Sequence, residues 1–179
     1  MVTISQQIRA IAVADYIAGY RDVERFRKLC RQCPRYGKTW HCPPYDFSVD
    51  IVQRYSIVHL IATQVTEPAD IDTVMDTVWK ITHPMLMDLE KRYPDSMTFG
   101  MACRLCAKQQ CTRVNGEPCR HPDMMRHSIE SFGFDVSKTL SELFGITLLW
   151  GRNGQQPRQY TFLTALFTNH DINITPLTL

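Results

Sequence analysis

The chain has 179 residues, 44% of them hydrophobic and 21% charged, with a net charge of +2. That is ample for a single domain over residues 1–179 with its own core, and the charge is too small for nucleic acid to be an expected partner. No uncharged apolar run approaches the roughly 18 residues of a membrane helix, so no membrane association is expected. The N-terminal stretch lacks the pattern of a signal peptide, which makes a reducing cytoplasm the expected compartment, where thiols stay free for metal.

In chain order, residues 10–29 read as helical. Val23, Phe26, Leu29 and Cys30 recur at steps of three or four, and Arg21, Asp22, Glu24, Arg25, Arg27 and Lys28 fill the other face. Pro34, Gly37, Pro43 and Pro44 then exclude regular structure over about 33–46. Ser48 is placed to cap a short helix through Tyr55. The stretch SIVHLIATQV (56–65) has the β-branched density of a strand, ended by Glu67-Pro68. Ile71, Val74, Val78, Ile81, Met85 and Leu89 mark an amphipathic helix over about 70–92, which Pro84 should kink or split.

Met97, Phe99 and Met101 alternate with small residues and predict a strand. Pro122 starts a predicted helix to Phe132, stopped by Gly133; Asp135 caps another, stopped by Gly145. ITLLW (146–150) and RQYTFLTALFTN (158–169) predict a hairpin joined by GRNGQQP. The whole predicts an α/β or α+β sandwich: a mixed sheet of about four or more strands with flanking helices and cysteine-rich loops.

All seven cysteines fall in two groups. Cys103, Cys106, Cys111 and Cys119 follow C-x2-C-x4-C-x7-C; Cys30, Cys33 and Cys42 follow C-x2-C-x8-C. Thiolates are soft ligands, and four from one loop suit tetrahedral zinc or an iron–sulfur cluster. Zinc knuckles come as two separated pairs, whereas this crowded, unequal spacing suits a [4Fe–4S] cluster whose irons each meet a different thiolate. Zinc is the alternative. The three-cysteine group leaves one metal position open for a substrate, water or non-cysteine ligand, and the two groups form either separate sites or one shared site.

The motifs C-x2-C-P-x-Y-G-x-x-W-x-C-P-P-Y (Cys30–Tyr45), C-x2-C…C…G-x-P-C-R-x-P and R-x-S-I-E-x-x-G-F-D-V (ending at Val136) resemble the DUF2284 family of metal-binding proteins of unknown function. The resemblance implies a metal or iron–sulfur role for Cys30, Cys33, Cys42, Cys103, Cys106, Cys111 and Cys119. The chain departs from the family's pattern between Cys106 and Cys111, where four residues stand instead of two.

Around the main group, Arg104, Lys108, Arg113, Arg120 and Arg126 make a basic loop able to offset cluster charge or meet an acidic redox partner protein. Arg120 and Arg126 belong to the family-like motif and are the candidate cofactor-binding residues; each of the others reads more simply as solvated. His41, beside Cys42, reads as an ordinary loop histidine, and His59 and His83 as packing or surface residues. Tyr36, Trp40 and Tyr45 read as shielding aromatics, and Ser128, Glu130 and Asp135 as capping or loop-orienting residues. The expected function is electron transfer or another redox role, with no reaction specified. A structural zinc module without enzymatic activity, or a metal carrier or sensor, is the alternative.

Overall fold

A computed structural model describes residues 3–66, 70–106, 109–151 and 156–178. Its centre is a four-stranded sheet in the order β1-β2-β4-β3, built from β1 (Thr3–Ala12), β2 (Ile57–Thr66), β3 (Met97–Phe99) and β4 (Gln159–Thr168). Every neighbouring pair is antiparallel, so the fold is α+β and the expected mixed sheet is replaced by an antiparallel one. β2 and β3 run the same way, but β4 is inserted between them. The helix joining them therefore makes a split β-α-β unit rather than a directly paired parallel crossover.

The sheet is covered on both faces. α3 (Ile71–Arg92) buries Val74, Val78, Leu86 and Leu89, which pack in clusters with Ile4, Ile61, Val65 and Leu166. On the opposite face, Val58, Leu60 and Ala62 of β2 and Leu163, Ala165 and Phe167 of β4 pack with Tyr16 of α1 (Val13–Tyr20) and Leu140 of α4 (Val136–Phe144). This alternation is the period of two that strands impose. β2, central in the sheet, is buried on both sides from Val58 to Thr63.

Several elements differ from expectation. The segment read as helical from residue 10 begins as the end of β1, continues as α1 and restarts as α2 (Val23–Gln32). The strand was hidden because Gln6, Gln7 and Arg9 break its hydrophobic alternation, yet Ile4 and Ile8 pair with Val65 and Ile61. α3 runs unbroken through Pro84. Pro84 is exposed, so the carbonyl that loses its helical partner faces water, where hydration replaces the bond. The expected helix from Pro122 is a turn followed by a short 3-10 segment, Ile129–Phe132. Residues 146–150 form no strand; Ile146 instead packs into the core beside Phe144. Most of the GRNGQQP connection, and Glu67-Pro68, lie outside the described residues.

The capping signals correspond to real ends. Ser48 caps a 3-10 turn (Val49–Arg54), accepting from the Asp50 amide at 3.2 Å. Asp135 caps α4 through the Lys138 amide at 2.9 Å, and Gly145 closes that helix at φ 68°. Gly133 does more than stop a turn. At φ 94° it lets Val23 approach so closely that a Cβ there would lie 2.7 Å from Val23 Cα. The Asp22 amide donates to its carbonyl at 2.7 Å, and the Asp135 amide donates to Tyr20 at 2.8 Å. The start of α2 is thereby fixed beside residues 133–135, and α2 carries the first cysteines.

Candidate metal centre

The first cysteine loop grows from the end of α2. Cys30 lies in its last turn and Cys33 is its C-cap, whose amide donates to the Cys30 carbonyl at 3.0 Å. The Tyr36 amide donates to Cys33 at 3.0 Å, and the Cys42 amide to Thr39 at 3.1 Å. Gly37, at φ 68°, donates to the Pro43 carbonyl at 2.8 Å and turns the chain back. Tight local turns replace backbone ladders here, as four proline and glycine positions require. The result brings Cys30, Cys33 and Cys42 to the wall of one cavity of about 540 Å3.

The second loop leaves β3 at Gly100 and returns at His127, where the Gly100 amide donates to the His127 carbonyl at 2.9 Å. Within it, Cys103, Cys106, Cys111 and Cys119 all line a second cavity of about 260 Å3. Cys111 belongs there with the others despite the longer step before it. It caps a 3-10 turn (Thr112–Asn115), and the Thr112 hydroxyl donates to the Pro118 carbonyl at 2.8 Å, folding Cys119 back toward Cys111.

N–H groups address these sulfurs. The His121 amide donates to Cys119 Sγ at 3.4 Å, and Arg120 Nη1 lies 3.7 Å from Cys106 Sγ while donating to the Gln110 carbonyl at 2.9 Å. Burial pushes the Cys103 thiol pKa up, and the neighbouring Cys106, Cys119 and Cys111 push it further, against a lowering Leu105 amide. In the other loop, burial raises Cys30 and Cys42, and Cys33 adds to both. Ionising Cys30, Cys42 or Cys103 is thus disfavoured by burial and by the neighbouring thiols, an effect a bound cation reverses.

All seven cysteines are free of disulfides. Among the described residues, no three His, Cys, Asp or Glu side chains are drawn tightly enough to hold a metal ion as they stand. The thiols line hollows instead of meeting at a point.

The two groups line separate cavities with a common wall, since Arg35 and His41 border both. His41 is buried, at 4% exposure, and its Nδ1 has no partner among the described residues. Burial, then His127 and Arg35, lower its pKa to about 4, so it is neutral at ordinary pH. Its carbonyl accepts from the Tyr45 hydroxyl at 2.7 Å and from His127 Nδ1 at 3.1 Å, which sets the His127 tautomer. Tyr45 stacks on Phe47 and meets His127 edge-on.

Arg113 reads from the sequence most simply as a solvated residue of the basic loop, yet it joins the two loops. From the second loop it donates to the Thr39 carbonyl at 2.9 Å and to the Cys42 and Pro44 carbonyls of the first. Its guanidinium lies 5.0 Å from the Trp40 ring centroid, and Trp40 Nε1 donates to the Glu117 carbonyl at 3.1 Å. Only proximity in space reveals this role.

The two arginines singled out from the sequence go different ways. Arg120 stands at the sulfur of Cys106. Arg126 pairs with Glu90 of α3 and bonds the carbonyls of Asp123 and Met125 at 2.9 and 2.8 Å, bracing the loop against the helix. Arg104 pairs with Asp76, and Lys108 lies outside the described residues. His83, on α3, stacks on Trp79 with centroids 4.5 Å apart and shares a small cleft with Cys103 and Arg126. His59 lies in β2, remote from both groups.

The fold and the paired thiol loops define a cysteine-rich α+β protein. The model of a family described as predicted metal-binding protein (DUF2284) matches residues 18–167, and the chain belongs to that family. No curated protein and no solved structure matches the chain.

Proposed function

We propose that the chain is an iron–sulfur protein with an electron-transfer or redox role, holding a [4Fe–4S] cluster on Cys103, Cys106, Cys111 and Cys119. The carrying observation is that all four thiols of one loop line a single cavity of about 260 Å3, with N–H groups at two of the sulfurs. A lone zinc ion draws its sulfurs to about 2.3 Å; thiols spaced around a hollow suit a polynuclear cluster better. When bound, such a cluster supplies one-electron chemistry, its potential tuned by hydrogen bonds to sulfur and by solvent access.

The chain's own residues do the rest. Arg120 and the His121 amide donate toward sulfur, Arg113 and Trp40 clamp the loops together, and buried His41 separates the two cavities. Cys30, Cys33 and Cys42 form a second, substrate-facing metal group. An acidic redox partner protein would meet the rim at exposed Arg120.

Anaerobic purification with an absorption spectrum and metal analysis tests this. The expected result is a coloured protein with at least about four irons and four labile sulfides per chain. A colourless protein with about one zinc and no sulfide would overturn it in favour of a structural zinc module.

A further inference from the structure

The cavity behind Cys30, Cys33 and Cys42 is larger than a metal site requires. At about 540 Å3 it reaches from the thiols to the sheet, lined by Met75 of α3, Met101, Leu149, Trp150 and Phe162 of β4. This is within the size range of small-molecule sites, which are mostly apolar with few polar groups. Trp150 is 73% exposed, a large aromatic surface left uncovered at the cavity wall.

The polar residues of the lining include Ser128, Glu130, Ser131, His41 and the exposed Arg35. Glu130 is half-buried in this lining, with the Ser128 hydroxyl beside it, and burial pushes its pKa up. A half-buried carboxyl at a cavity wall can exchange hydrating water for a ligand hydroxyl with little loss. An anionic head at Glu130 would meet a carboxyl, Arg35 being the exposed cation of the lining, and a charge on the ligand's body would lie against an apolar wall. The mostly apolar wall therefore favours an uncharged ligand body.

We propose that this cavity binds a neutral, largely apolar organic molecule of about ten to twenty non-hydrogen atoms, with one hydroxyl or carbonyl head at Glu130, in the cavity that the three thiols also line. The proposal deepens the reading of Cys30, Cys33 and Cys42 as substrate-facing and rests on it for any reaction; binding itself needs only the cavity.

The test uses the full chain, with naphthalene and 1-naphthol as probes and isotope-labelled methionine methyl signals as the readout, Met75 being identified by Met75→Leu. Both probes should shift the Met75 signal, with 1-naphthol binding about tenfold tighter, the effect of one hydrogen bond. Glu130→Leu should reduce 1-naphthol to the affinity of naphthalene. Thr161→Trp, filling the cavity from β4, should abolish both shifts.

The proposal is overturned if neither probe moves Met75 in the wild type, if the 1-naphthol preference survives Glu130→Leu, or if the shifts persist in folded Thr161→Trp. Should Thr161→Trp not fold, the wild type and Glu130→Leu still decide. Iron and sulfide are measured on the same sample, so a failed cluster reading with retained probe binding is told apart from a failed cavity.

Discussion

Arg113 is the residue on which the two cysteine loops depend for their mutual placement, and Arg113→Met isolates that dependence. The substitution keeps much of the side chain's length and removes donors to three carbonyls: Thr39, Cys42 and Pro44. A hydrogen bond from a charged group contributes about 1.5–3 kcal/mol when well shielded. Here the Pro44 bond is exposed and the other two are only partly buried, so about 2–4 kcal/mol for the set is the reasonable scale. Loss of the cation–π contact with Trp40 adds roughly 0.5 kcal/mol at such a site.

For a chain of this size each kcal/mol moves the midpoint by about 2–4 °C, giving a fall of roughly 5–15 °C in Tm by calorimetry. Arg113→Lys keeps the charge but lacks the planar fork, so it should recover less than half of the loss. A Tm for Arg113→Met within about 2 °C of wild type would refute the claim that this guanidinium ties the loops. So would full rescue by lysine, since a point charge would then suffice.

Gly133→Ala should destabilise the chain by more than about 3 kcal/mol in urea unfolding, because the added Cβ meets Val23 backbone and the φ of 94° is unfavourable. Cys111→Ser should lower iron and sulfide content as much as Cys106→Ser does; retained content would remove Cys111 from the ligand set. His59 supplies a pH test away from the cysteines. Burial lowers its pKa below 6.5, so the unfolded chain takes up this proton first as pH falls, and the stability present above about 6.5 is lost on acidification. Glu130, with a raised pKa, works in the opposite sense, and the comparison must therefore be made against a variant. The fall in Tm from about pH 7.5 to about pH 5 should be smaller in His59→Leu than in wild type; an equal fall would count against the argument.

Much of the site was legible because thiol spacing is a local property. Both cysteine groups, the breaks at Pro34 and Gly37, the caps at Ser48 and Asp135 and the stops at Gly133 and Gly145 are written in a few adjacent residues each. Elements failed where partners far along the chain decide. β1 is a strand because β2 offers it a register, not because Gln6, Gln7 and Arg9 favour one. Residues 146–150 carry strand-like composition but pair with no described strand; Ile146 packs into the core and Leu148, Leu149 and Trp150 line a cavity. Pro84 leaves α3 intact because its side of the helix faces water.

The sequence by itself determined the two thiol groups, of four and three, since short spacing needs no tertiary information. Tertiary structure decided that the groups border two cavities with a shared wall at Arg35 and His41, and that Arg113 and Arg126 brace loops. It also decided that Glu130 and three thiols line one mostly apolar cavity. Those facts arise from chain segments up to about a hundred residues apart, brought together by burial of apolar surface on both faces of one sheet, and no local pattern encodes them.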